Sequence, residues 1–130
     1  MKFQPDTLAG TNVLSRHDAD ALWVGSTRFD HSLLVPWRGE VKAWAPRSPA
    51  DLTEADFEAV LALAPEVVIF GSGPRLQFIR PALMRALIDR RIGVETMDTA
   101  AACRTYNVLV AEGRSAVAAL LLSPTPAEAR

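Results

Sequence analysis

The chain is poor in several residue types, and each shortage excludes something. It holds one cysteine, Cys103, and two histidines, His17 and His31, among 130 residues. A lone cysteine rules out an internal disulfide and fits a reducing compartment. Two histidines and one cysteine make a poor ligand set, so a metal site is not expected. Long hydrophobic runs are missing too. The longest, Ala116 to Leu122, has seven residues, against the ~20 that span a bilayer, and direct membrane insertion is not expected. The opening MKFQPDTLAG has no apolar stretch of the kind a secretory signal needs. With a net charge of -1 and its basic residues scattered, the chain has no basic stripe for nucleic acid. Twelve of the 14 basic residues are arginine, a bias that codon usage explains without a function. The expected location is cytoplasmic.

What remains is an ordinary globular balance, 49% apolar and 22% charged, in a chain long enough for one domain that buries about two-thirds of its unfolded surface. We expect one domain over residues 1–122. A flexible tail over 123–130 (SPTPAEAR) follows, where Pro124 and Pro126 stop regular structure.

The first third reads as a β-meander. Strands over Val13–His17, Leu22–Val24 and Ser32–Val35 are separated by polar or glycine-bearing turns, one of them Gly25–Asp30. A fourth strand over Val41–Ala45 places Trp44 on the face opposite Val41 and Ala43, where a second layer or a partner must cover it. The first helix then has a complete start signal. Thr53 is the N-cap, Asp56 reaches back as in a capping box, and Leu52 with Phe57 forms a hydrophobic staple. Pro65 ends it.

Val67–Phe70 (VVIF) is the unbroken apolar run of a strand buried on both faces. A turn at Gly71-Ser72-Gly73-Pro74 follows, then a second helix from Pro81 to a stop at Gly93, and a strand over Val94–Met97. Thr99 is expected to cap a third helix whose buried face is Ala102, Cys103, Tyr106, Leu109 and Val110. Val108 falls on its polar side. Gly113 stops it, and Ser115–Leu122 returns as a core strand. Alternating strands and helices from Val41 onward predict an α/β sheet packed between layers.

Several residues invite a chemical reading. Gly71-Ser72-Gly73 after a strand could cradle an anion with Arg75 adding charge, yet position 76 is Leu and no Lys-Ser/Thr pair follows. A plain strand-to-helix turn is the better reading there. Cys103 with a histidine could make a nucleophile and base, but the thiol sits on the predicted buried face. Glu95, Arg104, Thr105, Asn107, Glu112 and Arg114 could line a pocket at the strand ends, or form a structural network in which Tyr106 bonds to backbone. Trp23, Trp37 and Trp44 fit either core or a binding surface.

The segments Glu95–Thr99, Ala102–Leu109 (ACRTYNVL) and Glu112–Arg114, with the earlier Gly71-Ser72-Gly73, resemble the signature of the Mth-like domain family. That family includes relatives of mitochondrial respiratory complex I assembly factor 3 and of the adipogenesis-associated Mth-type domain protein, with many bacterial members. The resemblance covers about Asn12 to Leu122. It implies a three-layer α/β fold with a mixed central sheet, three helices and the N-terminal β-meander. It also implies no established catalysis and no cofactor. Its mitochondrial relatives act through protein contacts, and the opening of this chain does not read as a transit peptide, so that role does not transfer directly.

Two functions follow as expectations. One is a non-catalytic interaction or assembly-factor-like module in the cytoplasm of a bacterium. Its surface would be Arg104, Val108 and Glu112, and its partner another protein or a second copy. The other is a small-molecule or anion binder with Gly71, Ser72, Gly73, Arg75, Glu95 and Asn107 as its site.

Overall fold

The computed structural model describes residues 10–123. Two sheets and three α-helices form three layers. Strands β1 (Leu14–His17), β2 (Leu22–Val24) and β3 (Thr27–Phe29) make an antiparallel meander in the order β1-β2-β3. The main sheet holds β4 (Leu33–Pro36), β5 (Lys42–Ala43), β6 (Val67–Gly71), β7 (Gly93–Met97) and β8 (Ala116–Leu120), in the order β5-β4-β8-β6-β7. It is mixed: β6 runs parallel to both β7 and β8, whereas β4 runs antiparallel to β8 and β5. The helices are α1 (Glu54–Leu61), α2 (Arg85–Asp89) and α3 (Thr99–Ala111).

Period-two alternation divides the core. From β6, Val67 and Ile69 join Ala118 and Leu120 of β8 under α3 and the meander. Val68 and Phe70 join Val117 and Ala119 on the other face, under α1 and α2. Because both faces are covered, β6 and β8 are buried along their whole length, which is why they read as continuous apolar runs.

The α1 start forms as its sequence predicts. Thr53 and Asp56 make a reciprocal capping box, and Leu52 and Phe57 lie in one buried cluster. Thr53→Ala should lower stability by about 0.5–2 kcal/mol, read as a shift in urea midpoint at unchanged slope. Trp44 is covered, as its face required. It packs edge-on against Phe57 and Phe70, and its indole N–H donates to Asp56 O at 3.2 Å.

Four expectations need correction. The span Gly25–Asp30 is not merely a separator: Gly25, at φ 59°, begins a tight turn and Thr27–Phe29 pairs straight back on β2. The fourth strand shrinks to Lys42–Ala43 beside β4. The second helix is a turn of 3-10 helix, Pro81–Met84, followed by only Arg85–Asp89. It stops at Arg91, in the left-handed region at φ 59°, and Gly93 already belongs to β7. Finally, Asp98 caps α3 by accepting from Ala101 N, which leaves Thr99 inside the first turn. Apart from Ser123, the expected C-terminal tail lies outside the described residues.

Candidate functional site

The carboxyl ends of β6 and β7 are where the chain switches sides. From β6 it leaves toward α2 on one face, and from β7 toward α3 on the other, the arrangement that opens a crevice at strand ends. Gly71 lets α3 approach. A Cβ there would stand 2.9 Å from Thr99 Cα and 3.1 Å from Ala102 Cβ.

Thr99 ties three segments together. Its hydroxyl accepts from Gly73 N at 2.8 Å and donates to Leu121 O at 2.9 Å, while its own N–H donates to Gly73 O at 2.9 Å. Ser72 closes the adjoining loop. Its N–H donates to Met97 O, and its hydroxyl donates to Arg75 O at 2.6 Å and accepts from Gln77 N at 3.0 Å. The amides of Ser72 and Gly73 thus bond to the protein itself.

Above this knot is a cavity of about 370 Å³. Its walls are His17, Asp18 and Ala19 after β1, Gly73 and Pro74 after β6, Thr99 and Ala100 on α3, and Leu121 to Ser123 after β8. Its polar edge carries the imidazole of His17 and the carboxylate of Asp18, which lies 4.0 Å from the Arg16 guanidinium. Asp98 occupies the adjacent helix start. Both carboxylates are already engaged: Asp18 accepts from Asp20 N and Ala21 N, and Asp98 accepts from Ala101 N.

Of the residues singled out from sequence, Gly71, Ser72 and Gly73 are buried at this knot, and Gly73 lines the cavity. Arg75 and Glu95 are exposed and stand outside its walls. Asn107 is elsewhere: its amide accepts from Leu14 N at 2.9 Å and donates to Leu14 O at 2.8 Å, holding β1 to α3. Arg104, Val108 and Glu112 lie exposed along α3, with Val108 56% accessible. Arg114 pairs with Glu66 at 3.0 Å. The Glu66 carboxyl is held below its ordinary range by the Ser115 backbone N–H and then by Arg114. Trp23 is stacked by Arg16 at 4.5 Å and approached by Arg28 at 5.6 Å.

Of the cavity walls, sequence reasoning reaches Gly73 alone. From sequence, His17 reads as a base for Cys103 or a metal ligand, and Thr99 as a cap. The one legible signal was a Thr directly after an Asp at a helix start, where two residues can cap and only one does.

Neither reactive-looking side chain under α3 is available. Tyr106 is fully buried, its hydroxyl proton shared between Asn12 O at 2.9 Å and Pro36 O at 3.1 Å. Burial raises its pKa. Burial also pushes the Cys103 thiol up to about 12 from an ordinary 9.0, against a smaller pull from Arg104. The folded protein therefore holds that proton more tightly than the unfolded chain. Stability should be unaffected by this thiol below about pH 9 and fall as pH rises toward 12, by roughly 1.4 kcal/mol per pH unit. Urea midpoints at successive pH values test this, and Cys103→Ala should make the decline shallower, leaving the part that the buried Tyr106 phenol contributes above its ordinary 10.0. Among the described residues no cluster of three or more His, Cys, Asp or Glu could hold a metal ion. No helix among them is long and apolar enough to cross a membrane.

Comparison with known proteins adds relatives to this geometry. A family described as "Protein of unknown function (DUF498/DUF598)" matches residues 15–121. The bovine (Bos taurus) NADH dehydrogenase [ubiquinone] 1 alpha subcomplex assembly factor 3 is 38% identical over 102 residues, 77% of this chain and 54% of its own. The chain thus spans about half the length of the curated relatives it matches. A crystal structure from Bordetella parapertussis superposes with a TM-score of 0.83 at 38% identity, over 88% of this chain and 98% of that one. A Mth938-like domain from Bordetella pertussis gives 0.78 at 31% identity, over 98% and 96%. The chain belongs to the DUF498/DUF598 family of Mth-like domains, to which assembly factor 3 is related.

Proposed function

We propose that this chain is a non-catalytic protein-interaction module of the assembly-factor type, working in a reducing cytoplasm. The disposition of its polar groups is the observation that carries this reading. Ser72, Thr99, Tyr106 and Asn107 all spend their hydrogen bonds on backbone, and the thiol of Cys103 is locked in the core. The side chains left for recognition are on the surface, and α3 offers Val108 between Arg104 and Glu112. Similarity to a protein named as an assembly factor favours a polypeptide partner over a metabolite. Affinity capture of the tagged full chain from its source cells tests the proposal. The same partner should return in replicate captures and be lost with Val108→Glu. Repeated recovery of no partner, from a protein shown to be folded, contradicts it.

A second reading rests on the crevice. Its volume and its His17 and Asp18 edge suit a small-molecule ligand. A metabolite screen by NMR should then shift the amides of Gly73, Thr99 and Ala100 together. Unmoved amides at these positions across the screen dispose of it.

A further inference from the structure

The layer formed by α1 and α2 carries charge in two blocks. From Asp51 to Glu66 there are five acidic residues and no basic one, whereas from Arg75 to Arg91 there are five arginines and a single acid, Asp89. The two helices pack against each other on one face of the sheet. Yet the ion pairs among the described residues are Arg16–Asp18, Lys42–Glu40 and Arg114–Glu66, so Glu54, Glu58 and all five of those arginines are unpaired there. An apolar knob and a groove sit in the same layer. Phe78, in the segment leading to α2, is 77% accessible. It also borders a groove of about 320 Å³ floored by Leu52, Ile79 and Leu83. The knob is flanked by Arg75 and Arg80 in sequence. One wall of the groove, Pro49, Ala50 and Leu52, has Asp51 and Glu54 beside it in sequence, while the other wall includes Arg80 itself.

A surface carrying both a feature and its complement satisfies a twofold axis, which sets each patch of one copy against the other patch of its mate. We propose that this face joins two copies of the chain, Phe78 of each entering the groove of the other, with the acidic α1 of each facing the arginines of the other. A flat anionic membrane fits less well, because it would meet Glu54 and Glu58 as well as the arginines. The proposal is independent of the α3 surface and of the function proposed above. Exposed ion pairs are individually weak and screened by salt, so the dimer is salt-sensitive.

Sedimentation velocity of the full chain tests it. Dimer should form at about 50 mM salt, with the dissociation constant rising at least about tenfold near 500 mM. Phe78→Ala, at an exposed position that spares the core, should abolish it. Arg75→Glu with Arg80→Glu should be monomeric alone, as should Glu54→Arg with Glu58→Arg. Mixed in equal amounts, the two variants should form a heterodimer, because each now supplies what the other lacks. A wild-type chain that is monomeric at every concentration and salt overturns the proposal. So does a dimer indifferent to Phe78→Ala and to both charge reversals, or a monomer that binds phosphatidylserine vesicles through the same arginines.

Discussion

Phe57→Ala should cost about 3–5 kcal/mol, the loss expected for truncating a fully buried aromatic side chain. The ring is completely shielded from solvent and is one of three mutually packed aromatic rings: it meets Trp44 edge-on at 5.8 Å between centroids and Phe70 tilted at 6.2 Å. Truncation leaves a void bounded by three different elements: α1, β6 and the segment after β5. Collapse into that void is limited because Trp44 is also held through its indole N–H. The melting temperature should fall by roughly 10–20 °C. A loss below about 1 kcal/mol would mean that the layer repacks around the site, and that α1 is not fixed to the sheet in this way.

Gly71→Val carries the second large effect, and it acts by overpacking. The glycine needs no special φ; what it supplies is the missing side chain against which Thr99 Cα rests. Even a methyl group would stand 2.9 Å from the backbone of α3, and backbone in the first turn of a helix cannot move aside as a flexible side chain can. Alanine should cost about 1–3 kcal/mol and valine more. Pushing α3 outward also stretches the bonds from Thr99 to Gly73 and Leu121. Amide exchange at Gly73 should therefore quicken in Gly71→Ala well before global unfolding does. If Gly73 keeps wild-type protection in a destabilised Gly71→Ala, the contact at β6 and the hydrogen bonds at Thr99 are not coupled.

How much of this was visible in the sequence depends on how far apart the interacting residues are. The α1 start was fully legible because Leu52, Thr53, Asp56 and Phe57 interact within one turn. The buried strand VVIF and the core face of α3 were legible because periodicity alone reveals them. Boundaries decided by competition between neighbours were less so. Asp98 and Thr99 are both good caps. Thr99 is drawn inward by Gly73 and Leu121, partners lying 26 and 22 residues away, so Asp98 takes the role. Strand β3 escaped notice because it is three residues long and its pairing depends on the turn at Gly25 rather than on hydrophobicity. Arg91 could stop the second helix in a left-handed conformation that sequence would assign to Gly93.

The candidate site follows the same rule. Its walls come from residues 17–19, 73–74, 99–100 and 121–123, four segments that no local pattern connects. Asn107 appeared from sequence to belong with the glycine turn. In fact its amide reads the backbone of Leu14, 93 residues away, as another strand would.

The account holds that this fold spends its polar chemistry on itself and meets its partner through its surface. A photo-crosslinking residue placed at Val108 of the full chain, in its source cells, tests that most directly. One reproducible polypeptide should be captured from position 108 and not from a control at Glu40, and the purified pair should assemble into a stoichiometric complex. Capture of nothing from position 108, together with a metabolite that shifts Gly73, Thr99 and Ala100 and is turned over by the protein, would contradict it.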